Sequence, residues 1–343
     1  MKRNSSKIFI IAEAGINHNG SIKLAKKLVD KAVYCGADAI KFQTFKASDV
    51  ISKYATKLNY QLNKKNDDET QLEMLKKNEL TNTEFKKLFK YCKKKKIIFI
   101  STPKDLNSAK FLNKLGVSIF KIGSGDILNY ELLEYVASTK KKLIISTGMC
   151  SLNEVKKILK VLNKTTKKNI NLLHCVSLYP TPLKLINLNT ITYLRNKFKI
   201  KCGFSDHTQD IETGSIAAAL GAHIIEKHMT LNRKLPGPDH KMSLEPKDFK
   251  SYVEKIRKVE ILLGKYGKTL SKEEKKNILE FRRGLVYSTN FSKNHIIGRK
   301  DLNIKRPLLG MRPYKIKSII GKELKKNVSL DQPVKIGDFF EKK

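Results

Sequence analysis

CGADAIK at Cys35–Lys41, LGVSIFK at Leu115–Lys121 and LGAHIIE at Leu220–Glu226 share one plan. A Gly closes an amphipathic stretch, where a left-handed residue costs little. A short apolar core follows, and a charged residue stands five positions after the Gly. Each copy reads as a helix end running into a strand whose far end is polar.

The same alternation extends outward along the chain. Runs rich in Ile, Val and Phe occur at Ile8–Ala12, Ala39–Phe42, Ile97–Ile100, Ser118–Ile122, Leu143–Ile145, Ile170–Leu173, Ile200–Phe204 and His223–Ile225. Lys-rich amphipathic stretches lie between them, such as Ser21–Tyr34, Thr81–Tyr91, Leu106–Leu115, Ser151–Leu162 and Glu212–Leu220. Strands alternating with helices imply parallel βαβ units. Eight of them in residues 1–263 predict a closed (β/α)8 TIM barrel. The rival is an open doubly wound sheet, which ordinarily carries a Gly-rich phosphate loop after its first strand. Here that place is taken by AGINHNG (14–20), which is not that motif. Residues 264–282 read as a charged helical linker, and residues 283–343 as a small β-rich second domain. Its β-like pieces are Leu285–Ser288, Leu302–Lys305 and Val334–Ile336. So short a domain buries little apolar surface alone, so it is expected to pack on a partner subunit.

The 343 residues carry 70 Lys and Arg against 32 Asp and Glu, a net charge of +38. Only nine of the basic residues are Arg, the side chain that grips guanine in two places. The lysines are spread along the whole chain, and neither a zinc-finger spacing nor an RNA-binding aromatic signature occurs. Nucleic acid is therefore not the expected partner, although a basic field attracts anionic substrates. Five cysteines without a C-x-x-C pair fit a reducing cytoplasm rather than a disulfide framework. The apolar run near the N-terminus is broken by Glu13 and is too short for a signal peptide. No run approaches the length of a membrane span.

In a barrel the catalytic groups sit at the C-terminal strand ends. Here those ends carry Glu13; Lys41 and Gln43; Ser101 and Thr102; Lys121 and Ser124; Ser146 and Thr147; His174; Ser205, Asp206 and His207; Glu226 and His228. Charge inside a packed core is costly, so the set points to one shared pocket. Residues two apart share a strand face. This pairs Lys41 with Gln43, Ser205 with His207 and Glu226 with His228. Lys227 is expected to face the outer helices with its ammonium reaching solvent. His207 and His228 end adjacent strands and could hold a divalent cation, Mn2+ or Mg2+, with water and substrate oxygens completing the shell. The alternative is a hydrogen-bonded structural pair. Lys41 and Lys121 with Thr102, Ser124 and Ser146 form a candidate anion cradle, although a Ser or Thr at a strand end can equally cap the next helix. Glu13 and Glu226 are candidates for acid–base work.

At these residues the chain resembles the sialic-acid synthase family. The matching segments include IIAEAGINHNG (10–20), GADAIKFQTFKA (36–47), FISTP (99–103), FKIGSGDILN (120–129), LLHCVSLYPTP (172–182), GFSDHT (203–208), IIEKHMTL (224–231) and PGPDHKMSLEP (236–246). IKRP (304–307) and IIGKEL (319–324) resemble that family's antifreeze-like (SAF) domain. The resemblance implies that Lys41, Thr102, Lys121, Ser124, Ser146 and Ser205 hold phosphoenolpyruvate, and that His207 and His228 hold the metal. It places Gln43, Tyr179, Glu226 and Asp239 around an N-acylated amino-sugar, and Glu13 as a catalytic carboxylate. It implies a domain-swapped homodimer in which Arg306 reaches the partner's barrel and touches the N-acyl group. The chain departs from the family pattern at Lys104, Ser177, Leu308 and Leu309. The reaction implied is a transferase condensation of phosphoenolpyruvate with N-acetylmannosamine and water, giving N-acetylneuraminate and phosphate for a cell-surface polysaccharide. The alternative substrate is 2,4-diacetamido-2,4,6-trideoxymannose, giving N,N'-diacetyllegionaminate. Two remoter readings are a Schiff-base aldolase using Lys41 or Lys121 and a non-enzymatic sugar-binding barrel.

Overall fold

The structure is a computed structural model that describes residues 7–58, 61, 69–162 and 167–340. Strands β1 (Phe9–Gly15), β2 (Ala39–Thr44), β3 (Ile98–Pro103), β4 (Ile119–Ile122), β5 (Lys142–Ser146), β6 (Ile170–Cys175), β7 (Lys201–Asp206) and β8 (Ile224–His228) form a closed barrel in sequence order. All neighbours run parallel, and β1 closes the ring on β8. A helix follows each strand: α1 (Ile22–Tyr34), α2 (Asn82–Lys94), α3 (Leu106–Leu115), α4 (Tyr130–Ser138), α5 (Leu152–Val161), α6 (Asn189–Phe198), α7 (Thr213–Ala219) and α8 (Pro246–Leu263).

Local chemistry accounts for these bounds. Thr81 and Ser151 each accept from a backbone N–H one turn on, and Glu84 and Glu154 reach back to complete capping boxes at the starts of α2 and α5. The three echo glycines, Gly36, Gly116 and Gly221, sit at φ 80°, 87° and 93°, the left-handed turn that ends each helix. Period-two alternation sorts the strand side chains into two layers. Ile11, Ala39, Ile100, Ile119, Ile144, Leu173 and Ile224 point into the barrel and fill its lower part. Ile10, Ala12, Ile40, Phe42, Phe204 and Ile225 point outward under the helices, in one continuous apolar core. Inward positions nearer the C-terminal ends are polar, so the barrel has an apolar floor and a polar mouth.

The chain forms two compact units, Met1–Lys265 and Tyr266–Lys343. In the second, the charged stretch after the barrel folds as helix α9 (Lys272–Phe281), and β9 (Gly284–Tyr287) pairs antiparallel with β10 (Leu302–Lys305). Its core gathers Leu285, Tyr287, Ile297, Leu302, Leu324 and Val334. The expected β-like piece Val334–Ile336 is not a strand. Val334 is buried and its N–H donates to the Leu285 carbonyl at 2.9 Å, while Ile336–Asp338 turns as a 3₁₀ helix. No helix among the described residues is long and apolar enough to cross a membrane. All five cysteines are free.

Candidate active site

A cavity of about 660 Å³ opens at the C-terminal mouth of the barrel. Twelve of the fourteen residues singled out above line it: Glu13, Lys41, Gln43, Thr102, Lys121, Ser124, Ser146, Tyr179, Ser205, His207, Glu226 and His228. They come from seven of the eight strands and from the loops that follow, with Tyr179 standing in the loop after β6, because the inward strand faces turn from apolar to polar at the same height. The registers bring the charges together. Lys41 lies opposite Glu13, Glu226 opposite Ser205, and Glu13 opposite His228.

The centre is a four-charge cluster. Lys41 Nζ lies 2.8 Å from Glu13 Oε2 and 3.7 Å from Glu226 Oε1, and it donates to Thr102 Oγ1 at 3.2 Å. Lys121 Nζ lies 3.5 Å from Glu226 Oε1 and donates to Ser146 Oγ at 2.8 Å. Ser205 Oγ donates to Glu226 Oε1 at 3.2 Å, and the Gly148 N–H donates to Ser124 Oγ at 3.0 Å. The opposite oxygen of Glu226, Oε2, is buried with no hydrogen-bond partner.

Two buried carboxylates in one pocket titrate apart. Burial pushes Glu13 up to about 7; Lys41 pulls it back and the neighbouring Glu226 charge pushes it further up. Burial pushes Glu226 up as well, but Lys121, Lys41 and His207 outweigh it and hold this carboxyl below the usual range. The pair therefore offers one group that exchanges a proton near neutrality and one that stays ionised. Burial works against Lys41, but Glu13 and Glu226 keep its ammonium above its ordinary value. Burial dominates at Lys121 and lowers it.

The two histidines stand side by side, ring centroids 5.5 Å apart, with the Tyr179 ring 4.2 Å from His207. His207 Nδ1 donates to the Val176 carbonyl at 2.8 Å, so that nitrogen carries a proton, and Nε2 offers a lone pair when the ring is neutral. Burial and the neighbouring His207 push His228 well below the ordinary imidazole value, and its Nδ1 is buried without a partner. Among the described residues no group of three or more His, Cys, Asp and Glu side chains is placed to hold a metal. A two-histidine face with an orphaned nitrogen fits a cation that takes its remaining ligands from water and substrate, and does not fit a closed structural site.

The remaining two predicted residues lie elsewhere. Asp239 lines an adjoining cavity of about 290 Å³ that shares Gln43, Lys104, Tyr179 and His228 with the main one. A methyl group placed on Gly15 would lie 3.3 Å from both Glu13 Oε1 and Asp239 Oδ2, so the two carboxylates flank one turn. Burial raises Asp239 to about 6. Arg306 lies in the second unit, exposed, with its guanidinium 5.9 Å from the Phe281 ring centroid.

Four strand-end residues of the broad set do not join the cavity. Ser101, Thr147, His174 and Asp206 point to the outer face. There Ser101 bonds Thr44 Oγ1 at 2.6 Å, Thr147 Oγ1 donates to the Leu173 carbonyl at 3.0 Å, and His174 Nε2 meets the Ile186 carbonyl at 2.5 Å. Lys227 does not reach solvent. It is 1% exposed, and its Nζ lies 2.9 Å from Asp206 Oδ2. Conversely, Lys104, Met149, Cys175 and Ser177 line the cavity and were not assigned to it from the sequence. Cys175 was legible: it lies two positions beyond the inward Leu173 on the same strand.

Two buried lysines interleaved with a split carboxylate pair, at the mouth of a closed (β/α)8 barrel, stand where barrel enzymes keep their active sites. The chain belongs to the NeuB family, whose model matches residues 28–268. It is 44% identical over 331 residues to the N,N'-diacetyllegionaminic acid synthase of Campylobacter jejuni, covering 96% of this chain and 99% of that one. It is 41% identical over 330 residues to the N,N'-diacetyllegionaminic acid synthase of Legionella pneumophila, covering 95% and 93%. Among solved structures, the N-acetylneuraminic acid synthetase of Leptospira borgpetersenii in complex with citrate superposes with a TM-score of 0.71 at 34% identity, over 80% of this chain and 91% of that one.

Proposed function

We propose that this enzyme condenses phosphoenolpyruvate with 2,4-diacetamido-2,4,6-trideoxymannose and water, giving N,N'-diacetyllegionaminate and phosphate. The observation that carries the reaction class is the buried cluster of Lys41 and Lys121 around Glu13 and Glu226. The choice of sugar is supported by the 44% and 41% identity to two legionaminic acid synthases over almost the whole chain. These relatives favour the diacetamido sugar over the N-acetylmannosamine first expected, which lies within the same family and remains the second reading.

Lys41 and Lys121 supply point charge to the phosphate and carboxylate, and Thr102, Ser124, Ser146 and Ser205 supply hydroxyl donors. His207 and His228 would hold Mn2+ or Mg2+, which supplies Lewis-acid polarisation of the sugar's aldehyde oxygen when bound. C3 of phosphoenolpyruvate then bonds to the aldehyde carbon, water adds at C2, and phosphate leaves with C–O cleavage. Glu226, ionised and carrying a partnerless oxygen, handles the proton near the aldehyde. Glu13, with its pKa about 7, serves the C2 and water end. Gln43, Tyr179 and Asp239 orient the sugar. The second unit is an antifreeze-like domain, and Arg306 acts on the N-acyl group of a partner's substrate in a domain-swapped homodimer in the cytoplasm. A Schiff-base aldolase would need a neutral amine, whereas Glu13 and Glu226 hold Lys41 as an ammonium that hydrogen-bonds the Thr102 hydroxyl.

Phosphate release from phosphoenolpyruvate, measured against each sugar in turn, tests the substrate. We expect kcat/KM for the diacetamido sugar to exceed that for N-acetylmannosamine by about one to three decades, because a site built to pair a polar group rejects the analogue lacking it. A preference for N-acetylmannosamine would replace this reading with the second one.

A further inference from the structure

Matched triplets stand at the ends of β7 and β8: Ser205-Asp206-His207, whose histidine is the first residue past the strand, and Glu226-Lys227-His228. Their register sets Ser205 beside Glu226 and Asp206 beside Lys227. The outer and inner members of each triplet face the cavity, so the middle pair lies on the opposite side of the same two strands, directly behind the histidines. Phe204 and Ile225, which precede it on the same face, belong to the apolar core beneath the helices.

An ion pair there is an expensive choice. Lys227 and Asp206 are each 1% exposed, with Nζ 2.9 Å from Oδ2. Replacing such a pair by apolar residues is often neutral or stabilising, so stability alone does not explain it. What the pair does is tie down the chain that leaves His207. Lys227 donates to the Thr208 carbonyl at 2.7 Å, to Thr208 Oγ1 at 3.0 Å and to the Asp210 carbonyl at 3.1 Å. Asp206 accepts from the Thr208 N–H at 2.9 Å, from Thr213 Oγ1 at 2.5 Å and from the Tyr252 hydroxyl at 2.9 Å. The residue after His207, the start of α7 and the middle of α8 are thereby fixed to one point. Gly214 makes room for this: a Cβ there would lie 2.3 Å from Tyr252 Cζ.

We infer that the Asp206–Lys227 pair is a positioning device that holds His207 and His228 at the spacing a divalent cation requires. The inference rests on the metal reading given above. Neither residue lines the cavity, so Asp206 acts through the backbone that runs on into His207, and Lys227 through the strand it shares with His228.

The test is Mn2+ binding to the full chain without substrates, followed by the electron paramagnetic resonance of free Mn2+, together with thermal melting of the metal-free protein. The key variant is Asp206→Leu with Lys227→Met, which keeps the volume and removes the pair. It is expected to melt cooperatively, near or above the parent, and to bind Mn2+ about tenfold to a hundredfold more weakly, the range found for residues that orient metal ligands. Unchanged Mn2+ affinity in the folded variant would overturn the inference while leaving the metal reading intact. A parent protein that binds no Mn2+ would overturn both. Should the double variant not fold, Tyr252→Phe decides. Loss of one hydrogen bond to Asp206 should weaken Mn2+ roughly threefold, and no change would count against the device.

Discussion

Stripping divalent metal with EDTA is expected to abolish turnover, and added Mn2+ or Mg2+ to restore it. Lewis-acid polarisation of a carbonyl is worth several kcal/mol. At about 1.4 kcal/mol per decade, that is a loss of roughly three decades or more in kcat. The expectation comes from two imidazoles 5.5 Å apart, one oriented by the Val176 carbonyl and the other kept neutral by burial, on adjacent strands. His207→Ala with His228→Ala should reproduce the loss, and added metal should not rescue it. Full activity in excess EDTA would remove the cation from the mechanism. It would leave Lys41 and Lys121 as the electrophilic groups, and borohydride trapping of a substrate adduct would then become the informative experiment.

The second large effect belongs to Glu226. Its carboxylate is held ionised against burial by Lys121 and Lys41, and one oxygen is left for the substrate. Glu226→Gln keeps the shape and removes the charge. General acid–base catalysis contributes about two to four decades, and kcat should fall by that amount. Binding of phosphoenolpyruvate should not weaken in parallel, since removing a negative charge beside two ammonium groups leaves the anion cradle more positive. The variant also uncovers part of the lysine charge, so the metal-free protein should melt at a lower temperature. A breakage of this kind in a buried pair costs roughly 3–5 kcal/mol when nothing else compensates. Here Glu13 lies 2.8 Å from Lys41 and softens the loss. A kcat within threefold of the parent would take Glu226 out of proton transfer. Steady-state kinetics alongside calorimetric melting separates the two effects.

Much of this was legible in the chain because a barrel repeats a simple rule. The Gly-plus-five echo placed Lys41, Lys121 and Glu226 at strand ends, and all three line the cavity. Period two put Gln43, His207 and His228 on the same faces as their partners. The same rule, applied strand by strand from the inward apolar residues, separates Ser101, Thr147, His174 and Asp206 from the cavity. Without the inward set fixed, strand-end position alone could not make that distinction.

What stayed hidden is non-local. Lys227 looked like a solvated cation because its carboxylate partner lies on the neighbouring strand, 21 positions earlier, and its other acceptors are backbone carbonyls. The opposite pKa displacements of Glu13 and Glu226 depend on which lysine each carboxyl meets and at what distance, and no sequence spacing encodes that. Lys104, Met149 and Ser177 enter the wall from loops, where no periodicity marks a side chain as inward. Val334 reads as a strand residue because it is β-branched and apolar, yet its backbone bonds to Leu285 and Met311 do not extend into a ladder.

The most direct measurement runs the reaction in 18O-labelled water with phosphoenolpyruvate, 2,4-diacetamido-2,4,6-trideoxymannose and Mn2+. The phosphate and the sugar product are then weighed by mass spectrometry. The expected result is one phosphate released per sugar consumed, phosphate free of label, and a product heavier than the sugar by a pyruvate unit with label entering at C2. Label in the phosphate would contradict C–O cleavage, and phosphate release that does not depend on the sugar would contradict carbon–carbon bond formation at this site.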